Sequence, residues 1–297
     1  MNSGIKLGAI FPQTEIGVNP LDIREYALAA ERLEFDYILA FDHVLGADVS
    51  NRPTWLGPYT HQHSFYEPFV LFAHMAAITS RIELATGIII LPQRQTALVA
   101  KQAATLDVLS NGRLRLGIGI GWNSVEYEAL GKDFGNRGIR SEEQVDVMRA
   151  LWTNHTINYK GHWHKITDAG INPLPIQKPI PIWFGGKSEK VLERIGRIGD
   201  GWIASGLNGP NEESRSIFDR IHEYTKKAGR KPEDVGLETW LSAKQAPLEL
   251  LAEQTLEWQD LGATHIGLTT MDAGYSNVKE HIQALEYFKN MVHNNRC

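Results

Sequence analysis

The chain has almost no cysteine: the single one, Cys297, is the last of 297 residues. A disulfide framework is excluded, and a cytoplasmic setting is expected. Long apolar runs are also missing. The longest, 84–91, is interrupted by Thr86 and Gly87. It is strand-length and far short of the ~20 residues of a membrane helix. No apolar run follows Met1, so no signal segment is read. Charge of one sign is not in excess either. Lys and Arg number 30 against 35 Asp and Glu, and the net charge of −5 is interspersed, which argues against a nucleic-acid binder.

Several catalytic signatures are absent too. The first strand, 5–11, runs into Phe11-Pro-Gln-Thr14, not a glycine-rich nucleotide loop. No His-x-His ends that strand, as metal-dependent barrel hydrolases would require. There is no Ser/His/Asp arrangement and no buried cysteine nucleophile. His61-Gln-His63 lies in a loop without further ligands, and His162-Trp-His164 alternates along a hairpin. No metal site is expected from either. A chain of this length buries roughly three quarters of its extended surface and folds without such staples.

What is present is a regular alternation. Strands read at 5–11, 37–41, 82–91, 114–120, 180–184, 201–205, 235–241 and 265–270. Helical stretches fall at 21–33, 68–79, 96–109, 124–131, 141–152, 188–198, 211–228, 247–261 and 277–292. Eight strands, each followed by a helix, imply parallel βαβ units and an α/β fold, the (β/α)8 TIM barrel, as one domain over 1–297. An open doubly wound sheet is the alternative. Two insertions, 46–67 and 153–179, are long enough to be rims or lids, the second with a hairpin turning at Lys160-Gly161. In the fourth strand Leu114, Leu116, Ile118 and Ile120 alternate with Arg115, Gly117 and Gly119. The glycine face either admits a flat ligand or relieves crowding inside a barrel.

A barrel carries its chemistry at the C-terminal ends of its strands. That rule nominates Gln13, Asp42 and His43, the stretch 86–92, and Gly121 with Trp122 and Asn123. It also nominates Gly185, Gly186, Lys187 and Ser188, then Ser205 and Gly206, Ser242, and Thr269 with Thr270. His43 is the one good acid/base group. Adjacent strand residues point to opposite faces, so Asp42 need not touch it. Gly185-Gly186-Lys187-Ser188 opens a helix and suits a phosphate, or is an ordinary capped turn. One histidine, a helix end fit for an anion and little nucleophilic chemistry point to a cofactor doing the work.

The residues that carry a family likeness span nearly the whole chain. They are Phe41-Asp-His43; Ala85-Thr-Gly87 with Leu91-Pro92; Ala100-Lys-Gln with Thr105-Leu-Asp107; Ser110-Asn-Gly-Arg113; Leu116-Gly-Ile-Gly-Ile-Gly-Trp122; Phe134 with Arg137-Gly138; Pro181-Ile-Trp-Phe-Gly-Gly186 with Ser188; and Gly199-Asp-Gly-Trp202. On these the chain resembles the luciferase-like monooxygenase superfamily, closest to the branch of oxidoreductases that use coenzyme F420, a 5-deazaflavin. Asn111 departs from the usual glycine, at a left-handed position that asparagine tolerates.

The resemblance implies hydride transfer between F420 and a small organic substrate. His43 would sit near the reactive ring carbon as the proton-transfer group. Thr86 and Gly87 would lie on a bulged strand that in relatives carries a non-proline cis peptide. Asp42, Gly121 and Asn123 would contact the cofactor, and Gly185, Gly186 and Ser188 its phosphate. Trp55, Tyr59, Tyr66, Trp122 and Trp163 would form an apolar substrate pocket or pack beneath loops. Arg94 and Arg137 would hold carboxylates or form ion pairs. FMN is the alternative cofactor. Reduced FMN from a partner reductase would make the protein a two-component monooxygenase. A flavin-binding barrel without turnover is the non-enzymatic alternative. Relatives are often homodimers that pack helices 68–79 and 96–109.

Overall fold

The computed structural model describes residues 4–204 and 206–295, so Ser205 and Cys297 lie outside it. The elements in order are β1 (Lys6–Ile10), α1 (Pro20–Arg32), β2 (Tyr37–Ala40), α2 (Pro68–Ala76), β3 (Glu83–Thr86), β4 (Ile89–Ile90), α3 (Thr96–Leu109), β5 (Leu114–Gly119), α4 (Ser124–Ala129) and α5 (Arg137–Thr153). Then come the hairpin β6 (Ile157–Lys160) and β7 (Lys165–Ala169), β8 (Ile182–Gly185), α6 (Glu189–Ile198), β9 (Gly201–Ala204), α7 (Glu212–Lys227), β10 (Gly236–Ser242), α8 (Leu248–Leu261), β11 (His265–Thr269) and α9 (Val278–Asn294).

All sheet pairings except those of the hairpin are parallel, and β1 pairs with both β2 and β11. The β3–β5 pairing completes the ring, so the strands close into an eight-membered (β/α)8 barrel in which β3 and β4 together form the third position. The open-sheet alternative is thereby excluded. The strands are near-continuous apolar runs because helices cover the outside while side chains fill the inside.

The third strand departs from the expected continuous run over 82–91. Leu84 faces Leu114, yet Ile89 faces Ile118, so this strand carries one residue more than its neighbour over the span. That is a bulge, and it sits at the upper rim. The Gly87–Ile88 peptide within it is cis. The space above Gly117 and Gly119 is already occupied by the barrel itself. A Cβ on Gly117 would lie 1.9 Å from the Thr86 carbonyl oxygen, and one on Gly119 2.6 Å from Ile88 Cδ1. At Gly117 the glycine relieves crowding rather than admitting a ligand.

Smaller differences have local causes. Helix α5 begins at Arg137, four residues earlier than expected, where the Arg137 guanidinium stacks 3.6 Å from the Phe134 ring centroid. The hairpin turns over 161–164, closed by the Gly161 amide donating to the His164 carbonyl at 2.8 Å. Asn111 adopts φ +58°, the left-handed turn expected of it. Arg113 beside it donates to the carbonyls of Ile82 and Thr79 at 2.7 and 3.0 Å, tying the foot of β5 to the end of α2.

The lower barrel interior holds charge. Arg115, 3% exposed, bonds Glu83 and Glu238 and lies between the rings of Tyr37 and Trp183, 4.6 and 4.4 Å from their centroids. The Tyr37 hydroxyl and the Trp240 indole N–H both donate to Glu238 Oε1 at 3.0 Å. Burial opposes the Arg115 charge, but Glu238 and Glu83 outweigh it and hold the guanidinium ionised. Among the described residues no helix is long and apolar enough to cross a membrane.

Candidate active site

The ends of β2, β4, β5, β8, β9 and β10 enclose a cavity of about 430 Å3 at the upper rim. Its walls are mostly apolar: Phe41, Ile88, Ile90, Ile120, Ile203 and Trp240, with Pro58, Tyr59 and Trp122 above. Backbone is bare at Gly87, Gly119, Gly121, Gly185 and Gly186, and the polar side chains are those of Asp42 and His43.

His43 is nearly enclosed, its side chain 10% exposed. Its ring meets those of Tyr59, Phe65 and Trp122 edge-on at 5.2, 4.7 and 5.5 Å. Nδ1 lies 3.1 Å from Glu126 Oε1. Glu126 is fully buried and also accepts from the Val44 amide at 2.9 Å and from Gln93 Nε2 at 3.0 Å. A carboxylate held by other donors fixes the hydrogen on Nδ1 and leaves Nε2 as the available nitrogen. Among the described residues nothing bonds Nε2.

Asp42 turns the other way. Its carboxylate accepts from the Ile90 amide at 3.0 Å and from Arg94 Nη2 at 2.8 Å, and Arg94 also bonds Glu67 at 2.9 Å. Burial pushes the Asp42 carboxyl up, against the pull of Arg94 and the Ile90 amide. This bridge closes the bulge onto β2. Arg94 is thus an ion-pair residue, while Arg137 donates to the Phe134 carbonyl at 2.6 Å.

Across the cavity, Gly186 takes φ +108° between β8 and α6. Its carbonyl accepts from the buried Trp202 indole at 2.7 Å. In a trans peptide the next N–H points opposite that carbonyl, so the Lys187 amide is turned away from the core. Ser188 caps α6 by position, but its side chain makes no cap bond. The first amides of the helix have no intrahelical acceptor and can receive an anion.

The structure brings Asp42, His43, Gly87, Gly121, Gly185, Gly186, Tyr59 and Trp122 into one cavity. Other expected residues are placed elsewhere. Asn123 is 1% exposed; its Oδ1 caps α4 through the Val125 amide at 3.1 Å and its Nδ2 donates to the Leu45 carbonyl at 3.3 Å, so it does not line the cavity. Thr86 is buried one step below, donating to the Gly117 carbonyl at 2.7 Å. Trp55 stands behind Trp122, ring centroids 5.6 Å apart. Tyr66 packs on Phe11 and bonds the Gly17 carbonyl. Trp163 lines a separate cleft. The paired histidines serve loops: His63 accepts from the Thr60 amide at 3.1 Å, and His164 lies 2.8 Å from Glu143.

Glu126 and Trp240 escaped the sequence. Asn123-x-x-Glu126 has the spacing of a capping box, which assigns the glutamate to its own helix end. Instead the side chain reaches His43. Trp240 lies inside a strand, where nothing in the pattern tells the inward face of a barrel from the outward one.

Comparison with known proteins agrees with this architecture. The luciferase-like monooxygenase family profile matches residues 6–245. An F420-dependent glucose-6-phosphate dehydrogenase of Segniliparus rotundus is 31% identical over 238 residues, covering 77% of this chain and 66% of that protein. The enzyme of the same name from Amycolatopsis mediterranei is 30% identical over 256 residues, covering 79% and 72%. Among solved structures, the F420-dependent tetrahydromethanopterin reductase of Methanopyrus kandleri superposes with a TM-score of 0.77 at 17% identity over 99% of both chains. The monooxygenase RslO1 of Streptomyces bottropensis does so at 0.78 and 19%, over 99% and 100%. A profile that covers most of the barrel, together with relatives of this identity, establishes that the chain belongs to the luciferase-like monooxygenase family and is an oxidoreductase.

Proposed function

We propose that the rim cavity binds coenzyme F420 and that the protein transfers a hydride between it and a small organic substrate. The observation that carries this reading is the single ring nitrogen of His43, free among the described residues in an apolar cavity whose far wall is the Gly185–Gly186 turn that precedes α6. The residues present fit a deazaflavin. The cavity has the size of a small-ligand site, and its bare backbone and isoleucine walls suit a planar ring. The amides that begin α6 suit a phosphate. Two relatives carry F420 dependence in their names.

When bound, the deazaflavin supplies hydride donation or acceptance at one ring carbon. The chain supplies the rest. Glu126 fixes the His43 ring, and Nε2 takes the substrate proton in oxidation or returns it in reduction. Tyr59, Pro58 and Trp122 cover the site and exclude water. Asp42, held by Arg94, keeps the bulge against β2 so that Ile88 backs the cavity.

The test is titration of the purified protein with F420 and, separately, FMN, followed by cofactor fluorescence. Saturable F420 binding that a Gly186→Val change weakens is the expected result. Tight binding of FMN alone would replace this reading with a monooxygenase. Binding of neither would remove the cofactor altogether.

A further inference from the structure

A second cleft, of about 400 Å3, lies beyond the short 3-10 turn Leu91–Gln93, between the start of α3, helix α5 and the β6–β7 hairpin. Its lining carries Arg94, Lys132, Arg140, His164 and Lys165, with no aspartate or glutamate. Arg94 is neutralised by Asp42 and Glu67. His164 is held between Glu143 and the Thr96 hydroxyl. Among the described residues no carboxylate pairs with Lys132, Arg140 or Lys165, and Arg140 donates only to the Pro92 carbonyl. Three positive charges therefore face a space without a counter-charge.

Two further features point the same way. Helix α3 begins here: Gln95, Thr96 and Ala97 line the cleft, and the N-cap Gln95 makes no side-chain cap bond. The first amides of a 14-residue helix thus add donors and a partial positive charge. Gln144 also lines the cleft and is 1% exposed. Its Nε2 donates to the carbonyls of Leu91 and Arg94 and to Thr96 Oγ1 at 3.0–3.3 Å, which fixes the amide orientation. Its Oε1 is buried without a partner. A buried acceptor without a donor is costly, so the occupant must bring a proton as well as negative charge. Half-buried Trp163 supplies an apolar wall.

We propose that this cleft is a phosphate-binding site, separate from the one at α6. Phosphate near neutral pH is an anion that still carries a proton, which matches three unpaired cations, free helix amides and one unpartnered carbonyl oxygen. Sulfate has the charge but not the proton. The occupant is inorganic phosphate; a phosphate monoester, with its second pKa at ~6, has mostly lost that proton at neutral pH.

Titration of the full chain with inorganic phosphate at constant ionic strength tests this, read by calorimetry and by tryptophan fluorescence. Saturable binding is expected, with a fluorescence change that Trp163→Phe abolishes. The double variant Lys132→Ala/Lys165→Ala changes one half-buried and one exposed side chain and should weaken that binding about tenfold or more. Sulfate should bind less tightly than phosphate. A phosphate monoester should bind less tightly than inorganic phosphate near neutral pH, and one that binds more tightly would overturn the match to a protonated anion. Absence of saturable binding, affinity unchanged in the double variant, or equal affinity for sulfate would each overturn the proposal.

Discussion

The two ends of the barrel interior handle polar groups in opposite ways. At the foot, Arg115, Glu83, Glu238, Tyr37 and the Trp240 indole bond one another, and the surrounding aromatic rings leave no room for a ligand. At the rim, Asp42 is tied down by Arg94 and Ile90, but among the described residues His43 keeps one ring nitrogen free beside a cavity, and α6 opens without a side-chain cap bond. The foot is a paired-charge network that specifies the fold. Arg115 Nη2, without a hydrogen bond among the described residues, lies between two aromatic rings rather than beside a cavity. The rim leaves polar groups open beside a cavity, and a polar group that is open next to space for a ligand is where chemistry is expected. Trp240 joins the two: its ring lines the cavity while its N–H anchors to the foot.

The largest expected effect comes from breaking the foot. Arg115→Met leaves the buried Glu238 without its cation and Glu83 with only the longer pair to Lys6 at 3.8 Å. A loss of about 3–5 kcal/mol in unfolding free energy, measured by denaturant titration, is expected. A stability change under 1 kcal/mol would mean that the network is ornamental (~1 kcal/mol being what a mere surface pair contributes). At the rim the expected loss is in rate instead. Glu126→Gln keeps a hydrogen-bond acceptor but loses the charge that orders the His43 ring, the Val44 amide and Gln93. Turnover should fall about 10- to 100-fold with substrate KM little changed, as for other partners that orient a working histidine. An equal fall in Arg115→Met, after correction for folded fraction, would erase the distinction between the two ends.

A smaller effect concerns pH. His281, in the first turn of α9, is fully buried against the Thr270 hydroxyl at 2.8 Å, the Tyr275 ring and, at 3.5 Å, Glu15. Burial holds its imidazole down to about 4 from an ordinary 6.5, with Glu280 pulling weakly the other way. The folded state refuses a proton that the unfolded chain accepts. Its contribution to stability is therefore complete above pH ~6.5 and is lost as pH falls toward ~4. Burial pushes the nearby Glu15 carboxyl up, which acts in the opposite sense. Urea midpoints measured across this window should fall less steeply in His281→Phe than in the parent chain. Parallel curves would show that His281 carries none of the slope.

Much of this was legible before any coordinates. Alternating strand and helix periods lead to the barrel, and the rule that places chemistry at strand ends leads to His43, Gly121, Gly185 and Gly186. The bulge was not legible from the residues themselves, because 84–91 reads as one apolar run; only family likeness suggested it. Asn123 and Tyr66 look like ligand contacts by residue type, yet their polar atoms bond nearby backbone, a choice set by loop paths that no periodicity encodes. Trp163 failed for a related reason. A hairpin can fold toward either flank of the rim, and Glu143 decides it by capturing the His162, Trp163 and His164 amides at 2.8–2.9 Å. Glu126 was hidden by a sequence spacing with a more ordinary meaning.

In the proposed reaction the free nitrogen of His43 moves the substrate proton while the rest of the cavity binds. Steady-state turnover of reduced or oxidised F420 by His43→Ala, with a substrate found by screening alcohols and sugar phosphates, tests it most directly when paired with cofactor affinity. Turnover about 10²-fold lower or worse, with cofactor affinity nearly unchanged, is the expected result. Undiminished turnover in that variant would contradict it.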